Sequence, residues 1–105
     1  MADNVPPITS SNIISGWHQV DFFVAQLSAI DYADTVFDTP SGVKRTYYKF
    51  YPQGDPEPAY EINENTENLA NFITTFNILG QGNFVVKYYS EDNNGNIESV
   101  KTKLP

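Results

Sequence analysis

The chain has 105 residues, a net charge of −7 and no cysteine. This length suits one domain and is too short for two independent cores. The lack of cysteine excludes disulfides, thiolate catalysis and zinc–thiolate sites. Because so acidic a surface repels phosphate backbones and anionic lipids, we expect no nucleic-acid partner and no membrane partner. No apolar run approaches the ~20 residues that cross a bilayer, so we also expect no membrane insertion.

Residues 1–105 are predicted to form a single module whose first seven residues are a linker. That segment is polar and ends in Pro6-Pro7. Proline is tolerated at the starts and edges of strands, so a short edge strand is expected to begin at Ile8.

The first long strand is predicted over residues 20–31. One parity of this stretch is uniformly apolar, and we assign it to the core: Phe23, Ala25, Leu27 and Ala29. A helix is the alternative, because alanine, glutamine and leucine are good helix formers. The paired phenylalanines and the polar loop that follows favour a strand.

The next strand is predicted over residues 43–51, with Thr46, Tyr48 and Phe50 on one face. Three prolines within residues 52–58 exclude a strand there and predict a loop. A short strand containing Tyr60 and Ile62 should follow.

Residues 64–71 are ambiguous, and a helical turn capped at Asn65 or Thr66 is one interpretation. Strand patterns return afterwards, and Asn94-Gly95 favours a tight hairpin turn. The predicted elements are a strand over 72–78, a turn at 80–82, a strand over 84–90, a hairpin loop at 93–96 and a closing strand over 97–103. About seven strands with regular turn signals predict an all-β fold, an immunoglobulin-like β-sandwich of antiparallel strands in two sheets.

The C-terminal third, residues 80–98, carries Tyr88-Tyr89-Ser90 followed by Asp92 and Gly95-Asn96. This run resembles the end of repeated immunoglobulin-like modules, similar to fibronectin type III domains, in secreted and cell-surface bacterial proteins. Earlier landmarks occur in the same order: Pro6-Pro7, Gly16-Trp17, residues 27–31, Ser41-Gly42-Val43 and Tyr47-Tyr48.

The resemblance implies a non-catalytic spacer in an extracellular or cell-surface multidomain protein. Its expected partners are the neighbouring domains of the same polypeptide. Because short edge strands protect such sandwiches from pairing with one another, we expect a monomer.

Catalysis has little support in the sequence. His18 is the only histidine, and it has no serine or carboxylate at a fixed spacing that would indicate a triad. We therefore expect that the chain is not an enzyme.

Aspartates are expected to converge at one end of the sandwich. In an immunoglobulin-like topology the second and sixth strands point the same way, so Asp31 and Asp92 should lie at one pole, with Asp34 in the adjoining loop. Such carboxylates could bind Ca²⁺, which prefers six to eight oxygen ligands. The alternative, which we favour, is that they accept hydrogen bonds from loop amides as Asx turns, with no cofactor.

Three tyrosines share the parity opposite to the predicted core face: Tyr47, Tyr51 and Tyr89. Together with Phe22 they could form an exposed aromatic strip that binds a polysaccharide. Only a contiguous exposed patch would mark such a site, because single exposed aromatics are common. A carbohydrate-binding or adhesion module is thus the alternative to the spacer.

Overall fold

The computed structural model describes residues 6–13, 22–32, 41–67, 70–79 and 84–103. Seven β-strands occupy most of these ranges, and none of the ranges contains a helix. In chain order the strands are β1 (Ile8–Ser11), β2 (Phe22–Ile30), β3 (Val43–Pro52), β4 (Glu61–Glu64), β5 (Asn71–Leu79), β6 (Phe84–Asp92) and β7 (Lys101–Lys103).

The strands form two antiparallel sheets. The three-stranded sheet has the order β1–β2–β5, and the four-stranded sheet has the order β4–β3–β6–β7. Every strand pair is antiparallel, and β3 pairs with β6 along almost its whole length. The predicted all-β sandwich of seven strands in two sheets is therefore confirmed.

The predicted core parity of β2 is confirmed at three of its four residues, and the side chain of the fourth, Phe23, lies outside the description. Ala25, Leu27 and Ala29 are fully buried, whereas Val24 on the other face is exposed. The helix alternative is wrong for this stretch, because β2 lies between β1 and β5 and pairs its backbone with both. This pairing overrides the modest helix propensity of its alanines and leucine.

Side chains from the two sheets meet in one principal core. Leu27 of β2 and Ile78 of β5 belong to the same buried cluster as Val86 of β6. The ring of Tyr48 on β3 stacks on Phe76 of β5 at 4.5 Å between centroids. Stacked aromatic pairs add to the free energy gained from burial alone, so this contact binds the sheets together.

Residues Asp31 and Asp92 lie at one end of the sandwich, which we call the aspartate pole. Asp92 ends β6 and pairs with Val43 at the start of β3. The Asp31 carboxylate, directly after β2, accepts a hydrogen bond from the amide of Gly42 at 2.8 Å. The ends of β2 and β6 are therefore at the same pole, as the sequence predicted.

The described chain enters and leaves the sandwich at opposite poles. Ile8 pairs with Ile30, so β1 begins at the aspartate pole. Lys103 pairs with Val86, close to the first residue of β6, so β7 ends at the far pole. Consequently β1 and β7 run in the same direction, away from the aspartate pole.

The structure differs from the sequence-based expectation in three places. The closing strand is regular only over Lys101–Lys103, and Ile97 forms an isolated bridge with Glu91. The reason is that Glu98 turns its side chain into the interior, where it is 8% exposed. Between β4 and β5, Thr66 and Glu67 form a turn rather than a helix. Pro7, at the end of the predicted linker, is fully buried.

No helix in the described ranges is long and apolar enough to span a membrane.

Replacing Leu27 with alanine should lower the free energy of unfolding by about 3 kcal/mol, because it removes a fully buried side chain and leaves a cavity. Val24→Ala on the exposed face of the same strand should cost less than about 1 kcal/mol. Urea unfolding followed by tryptophan fluorescence measures both. Equal losses would contradict the assigned inner face of β2.

Candidate functional site

Asp92 organises the loop at the aspartate pole. Its side chain is fully buried. Its Oδ1 accepts hydrogen bonds from the backbone amides of Asn94 at 2.9 Å and Asn96 at 2.8 Å. Its Oδ2 accepts a bond from the Asn96 amide side chain at 2.8 Å. These bonds form an Asx turn that closes the 92–96 hairpin, whose Gly95 has a φ of +86°.

Asp31 serves a neighbouring turn of the same pole. Besides the amide of Gly42, its Oδ2 accepts a longer bond of 3.4 Å from the Ser41 hydroxyl. Gly42 has a φ of +96°, which favours glycine, and a Cβ there would lie 3.2 Å from the Asn93 side-chain nitrogen. That nitrogen donates to the carbonyl of Ser41 at 2.9 Å. The Asn93 side chain thus joins the 92–96 hairpin to the turn at Ser41 and Gly42.

The arrangement at the pole favours loop capping over metal binding. Asp31 and Asp92 both accept hydrogen bonds from loop amides, as the Asx interpretation predicts. Asp34, the third predicted ligand, lies outside the described residues. Within the ranges that the structure describes, no group of three His, Asp or Glu residues is placed to hold a metal ion.

We expect the thermal midpoint of the protein in EDTA and in millimolar Ca²⁺ to agree. A cation that binds only the folded state raises the midpoint, whereas carboxylates already used as loop acceptors leave it unchanged. Differential scanning calorimetry in both buffers, with Mg²⁺ as a control for ionic strength, measures this. A rise specific to Ca²⁺ would restore the metal hypothesis.

The outer face of the four-stranded sheet carries the predicted tyrosines. Tyr47 and Tyr89 are directly opposite in the β3–β6 register, and their rings stack at 4.5 Å with 13° between planes. Tyr60, just before β4, packs edge-on against Tyr89 at 5.1 Å and Tyr47 at 6.5 Å. We call these three residues the tyrosine cluster. Burial raises the pKa of Tyr60 and of Tyr89.

Tyr51 stands apart from the other two predicted ligand-binding tyrosines. Within the described part of the chain it makes no ring contact with Tyr47 or Tyr89, and its hydroxyl donates to Glu57 at 2.8 Å. All three are half-buried. The side chain of Phe22 lies outside the description. The structure thus brings together Tyr47 and Tyr89 but not Tyr51, and the sugar-binding strip stays a prediction.

Beside the tyrosine cluster, one carboxylate bridges two lysines. Lys49 and Lys87 are directly opposite each other in the register, an arrangement that is destabilising for like charges. Glu57 reaches between them from the loop after β3 and forms ion pairs with both. Hydrogen bonds from Lys87, Tyr51 and Lys49 lower the pKa of Glu57 to about 2. The same hydrogen bond raises the pKa of Lys87.

The proline-rich loop forms a cover over this part of the sheet. Lys49 is only 6% exposed, because its Nζ donates to the carbonyl of Pro58 at 3.3 Å and lies 4.0 Å from the centroid of the Tyr60 ring. A cavity of about 180 Å³ remains there, lined by Lys49, Phe50, Pro58, Ala59 and Glu61. Pockets for small-molecule ligands usually measure at least ~300 Å³, so this one is small for such a role.

Replacing Glu57 with glutamine should lower the thermal midpoint at pH 7, since it leaves Lys49 and Lys87 to repel each other. The carboxyl has a lowered pKa in the folded state, so its contribution is complete above its ordinary pKa of 4.5 and is lost as the pH falls toward about 2. The difference in midpoint between wild type and Glu57→Gln should therefore shrink over that interval. Thermal melts at a series of pH values measure it.

The double variant Glu57→Gln/Lys87→Gln is the matched control for this prediction, and it should recover part of the lost stability. A midpoint difference that stays constant from pH 7 to pH 2 would show that packing of Glu57, rather than its charge, matters.

Sequence reasoning missed Glu98, whose carboxylate joins the two sheets. Its Oε1 accepts bonds from the amide of Ser90 at 2.9 Å and from the hydroxyl of Thr9. Its Oε2 accepts a bond from the amide of Thr9 at 3.2 Å. Lys101 forms an ion pair with the same carboxylate at 3.3 Å and donates to the Thr9 carbonyl at 2.6 Å. We call Thr9, Glu98 and Lys101 the β1 joint.

The joint continues into the core as a chain of hydroxyls. Thr9 and Ser90 are 2.7 Å apart, Ser90 and Thr46 are 2.8 Å apart, and all three are buried. The Thr9 hydroxyl gives its single proton to the Glu98 carboxylate, so Ser90 must donate to Thr9 and Thr46 must donate to Ser90. Because the Glu98 carboxylate is the acceptor at the end of this chain, it sets the direction of each hydrogen bond in the chain. No sequence signal could have found it, because Thr9 and Glu98 are 89 positions apart.

Comparisons of this chain with models of protein families, with curated proteins and with solved structures find no match. The interpretation that follows is supported by the geometry of the chain together with the resemblance of its sequence.

Proposed function

We propose that this chain is a non-catalytic connector, an immunoglobulin-like spacer module of an extracellular or cell-surface multidomain protein. The observation that carries the proposal is the position of the described chain ends. β1 begins at the aspartate pole and β7 ends at the far pole. A module inserted between two neighbours at such ends extends the polypeptide by the full length of the sandwich.

The strand order supports the same class of module. In constant-type immunoglobulin domains the fourth strand joins the sheet of the first, second and fifth strands. Here β4 pairs with β3 instead, which gives sheets of three and four strands. This order keeps the antiparallel two-sheet architecture of such domains and differs from the constant-type order in the sheet that β4 joins.

The ionisable groups support a structural role rather than a catalytic one. Glu57 and Lys87 have shifted pKa values because they bond to each other on the surface of a sheet. Glu98 is engaged with Thr9, Ser90 and Lys101 inside the fold. Structural ion-pair networks of this kind shift pKa values without implying that their residues are catalytic.

The β1 joint is placed to resist a force applied along the module. β1 and β7 run in the same direction, and their outer ends lie at opposite poles. A pull on both chain ends therefore shears Thr9 past Glu98 and Lys101, and their hydrogen bonds and ion pair must break together. Hydrogen bonds to charged groups contribute more than neutral ones, which favours a carboxylate in this position.

Single-molecule force spectroscopy on a tandem array of the module tests this proposal. Glu98→Gln should lower the unfolding force clearly, because it removes the ion pair and one acceptor of the joint. Glu67→Gln, at an exposed turn outside the joint, changes the charge equally and should leave the force unchanged. Leu27→Ala should reduce equilibrium stability more than it reduces the force, because it is outside the joint.

A connector without a load-bearing joint would behave differently. The forces of Glu98→Gln and Leu27→Ala would then follow their equilibrium stabilities in the same proportion, and that result would contradict the proposal.

A further inference from the structure

The four edge strands of the sandwich differ in how they are protected. Three are short and carry a protecting feature. β1 is capped through Thr9 by Glu98, β4 begins and ends with glutamate, and β7 begins and ends with lysine. Short, charged or capped edges are the usual means by which proteins prevent unwanted strand pairing.

β5 is the exception among these edges. It is nine residues long and contains no charged residue, proline or glycine. Its exposed side chains are Asn71, Ile73, Thr75 and Asn77. A long, uncharged strand of this composition is ready to pair with another chain.

The free side of β5 has no partner strand among the residues that the structure describes. β5 pairs only with β2, and within the described ranges no other backbone hydrogen bond reaches it. In an antiparallel pair every second residue directs its amide and carbonyl away from the partner. As far as the described part of the chain shows, β5 therefore presents a row of unused donors and acceptors along its length.

An acidic edge lies beside this row. Asn63 of β4 donates to the Thr74 hydroxyl of β5 at 3.0 Å, so β4 is the neighbour of β5 on the other sheet. Exposed Glu61 is opposite Tyr48 in the register, and the Tyr48 ring stacks on Phe76 of β5. A segment that pairs with β5 would therefore lie beside β4, the strand that carries Glu61.

We propose that β5 is a docking edge that accepts an extended, basic segment of another polypeptide as an added strand. The backbone row supplies the hydrogen bonds of the new pair, which is the recognition mode known as β-augmentation. Glu61 and the net charge of −7 select lysine or arginine on the side of the segment that faces β4. A second copy of this chain fits less well, because it would bring its own acidic β4 edge toward Glu61.

The pairing would also impose a parity on the bound segment. Its residues that point inward meet the row of Phe72, Thr74, Phe76 and Ile78, whereas the others join the uncharged outer face. Apolar and polar residues should therefore alternate along the bound segment, and its basic residues should lie near Glu61. This inference concerns a different surface from the β1 joint, so it does not depend on the connector role.

NMR-detected amide hydrogen exchange tests the proposal with a synthetic nine-residue peptide matched in length to β5. The peptide alternates valine and threonine and has lysine at both ends and at its centre. When the protein is saturated with the lysine peptide, every second amide of β5 should exchange with solvent at least about tenfold more slowly. A matched peptide with glutamate in place of lysine should protect these amides far less.

Variants of the protein separate the edge from the rest of the sheet. Ile73→Lys on β5 should abolish the protection, whereas Val24→Lys on the same outer face, in the central strand β2, should not. Both residues are about half exposed, at 46% and 45%, so the two changes are matched. Glu61→Lys should reverse the preference between the lysine and glutamate peptides without altering β5 itself.

Three results would overturn the proposal. One is protection of the β5 amides that rises with protein concentration in the absence of peptide, which would assign the edge to a second copy. Another is protection by the lysine peptide at β4 or β7 instead of β5. The third is an absence of protection at β5 with the lysine peptide at millimolar concentration.

Discussion

The carboxylate of Glu98 is the acceptor on which both sheets converge. It receives the amide and the hydroxyl of Thr9 from the three-stranded sheet and the amide of Ser90 from the four-stranded sheet. A charge buried to this degree is costly unless it is fully hydrogen-bonded and paired, and Lys101 completes the pairing. This one side chain therefore sets the direction of the hydroxyl chain and joins β1 to the four-stranded sheet.

Glu57 offsets the repulsion between two lysines on the outer face of the four-stranded sheet. There the register of β3 and β6 sets Lys49 opposite Lys87, and a carboxylate from the proline-rich loop lies between them. This anchors the loop over the sheet, where Tyr60 packs on Tyr47 and Tyr89. In a chain of net charge −7, these two carboxylates are therefore placed against donors, and the unpaired β5 edge is left uncharged.

The elements that the sequence predicts best are those whose pattern is local. Alternation along β2 and β3 correctly assigns Leu27 and Tyr48 to the interior, because side chains of a strand alternate between its faces. The common pole of Asp31 and Asp92 followed instead from the expected immunoglobulin-like topology, in which the second and sixth strands point the same way. Alternation fails for residues 97–100, where Glu98 leaves the strand pattern to bond with Thr9. Nothing local distinguishes this glutamate from the exposed ones.

The sequence by itself therefore determined the class of fold, most of the strands and the inner faces of β2 and β3. These follow from periodicity and turn chemistry, which act over a few residues. Only the tertiary structure decided which polar and charged groups meet, since Thr9 and Glu98 are 89 positions apart and Glu57 and Lys87 are 30 apart. It also decided which long strand has a single partner strand within the described ranges. Such contacts depend on how the sheets pack, and a linear pattern carries no information about that.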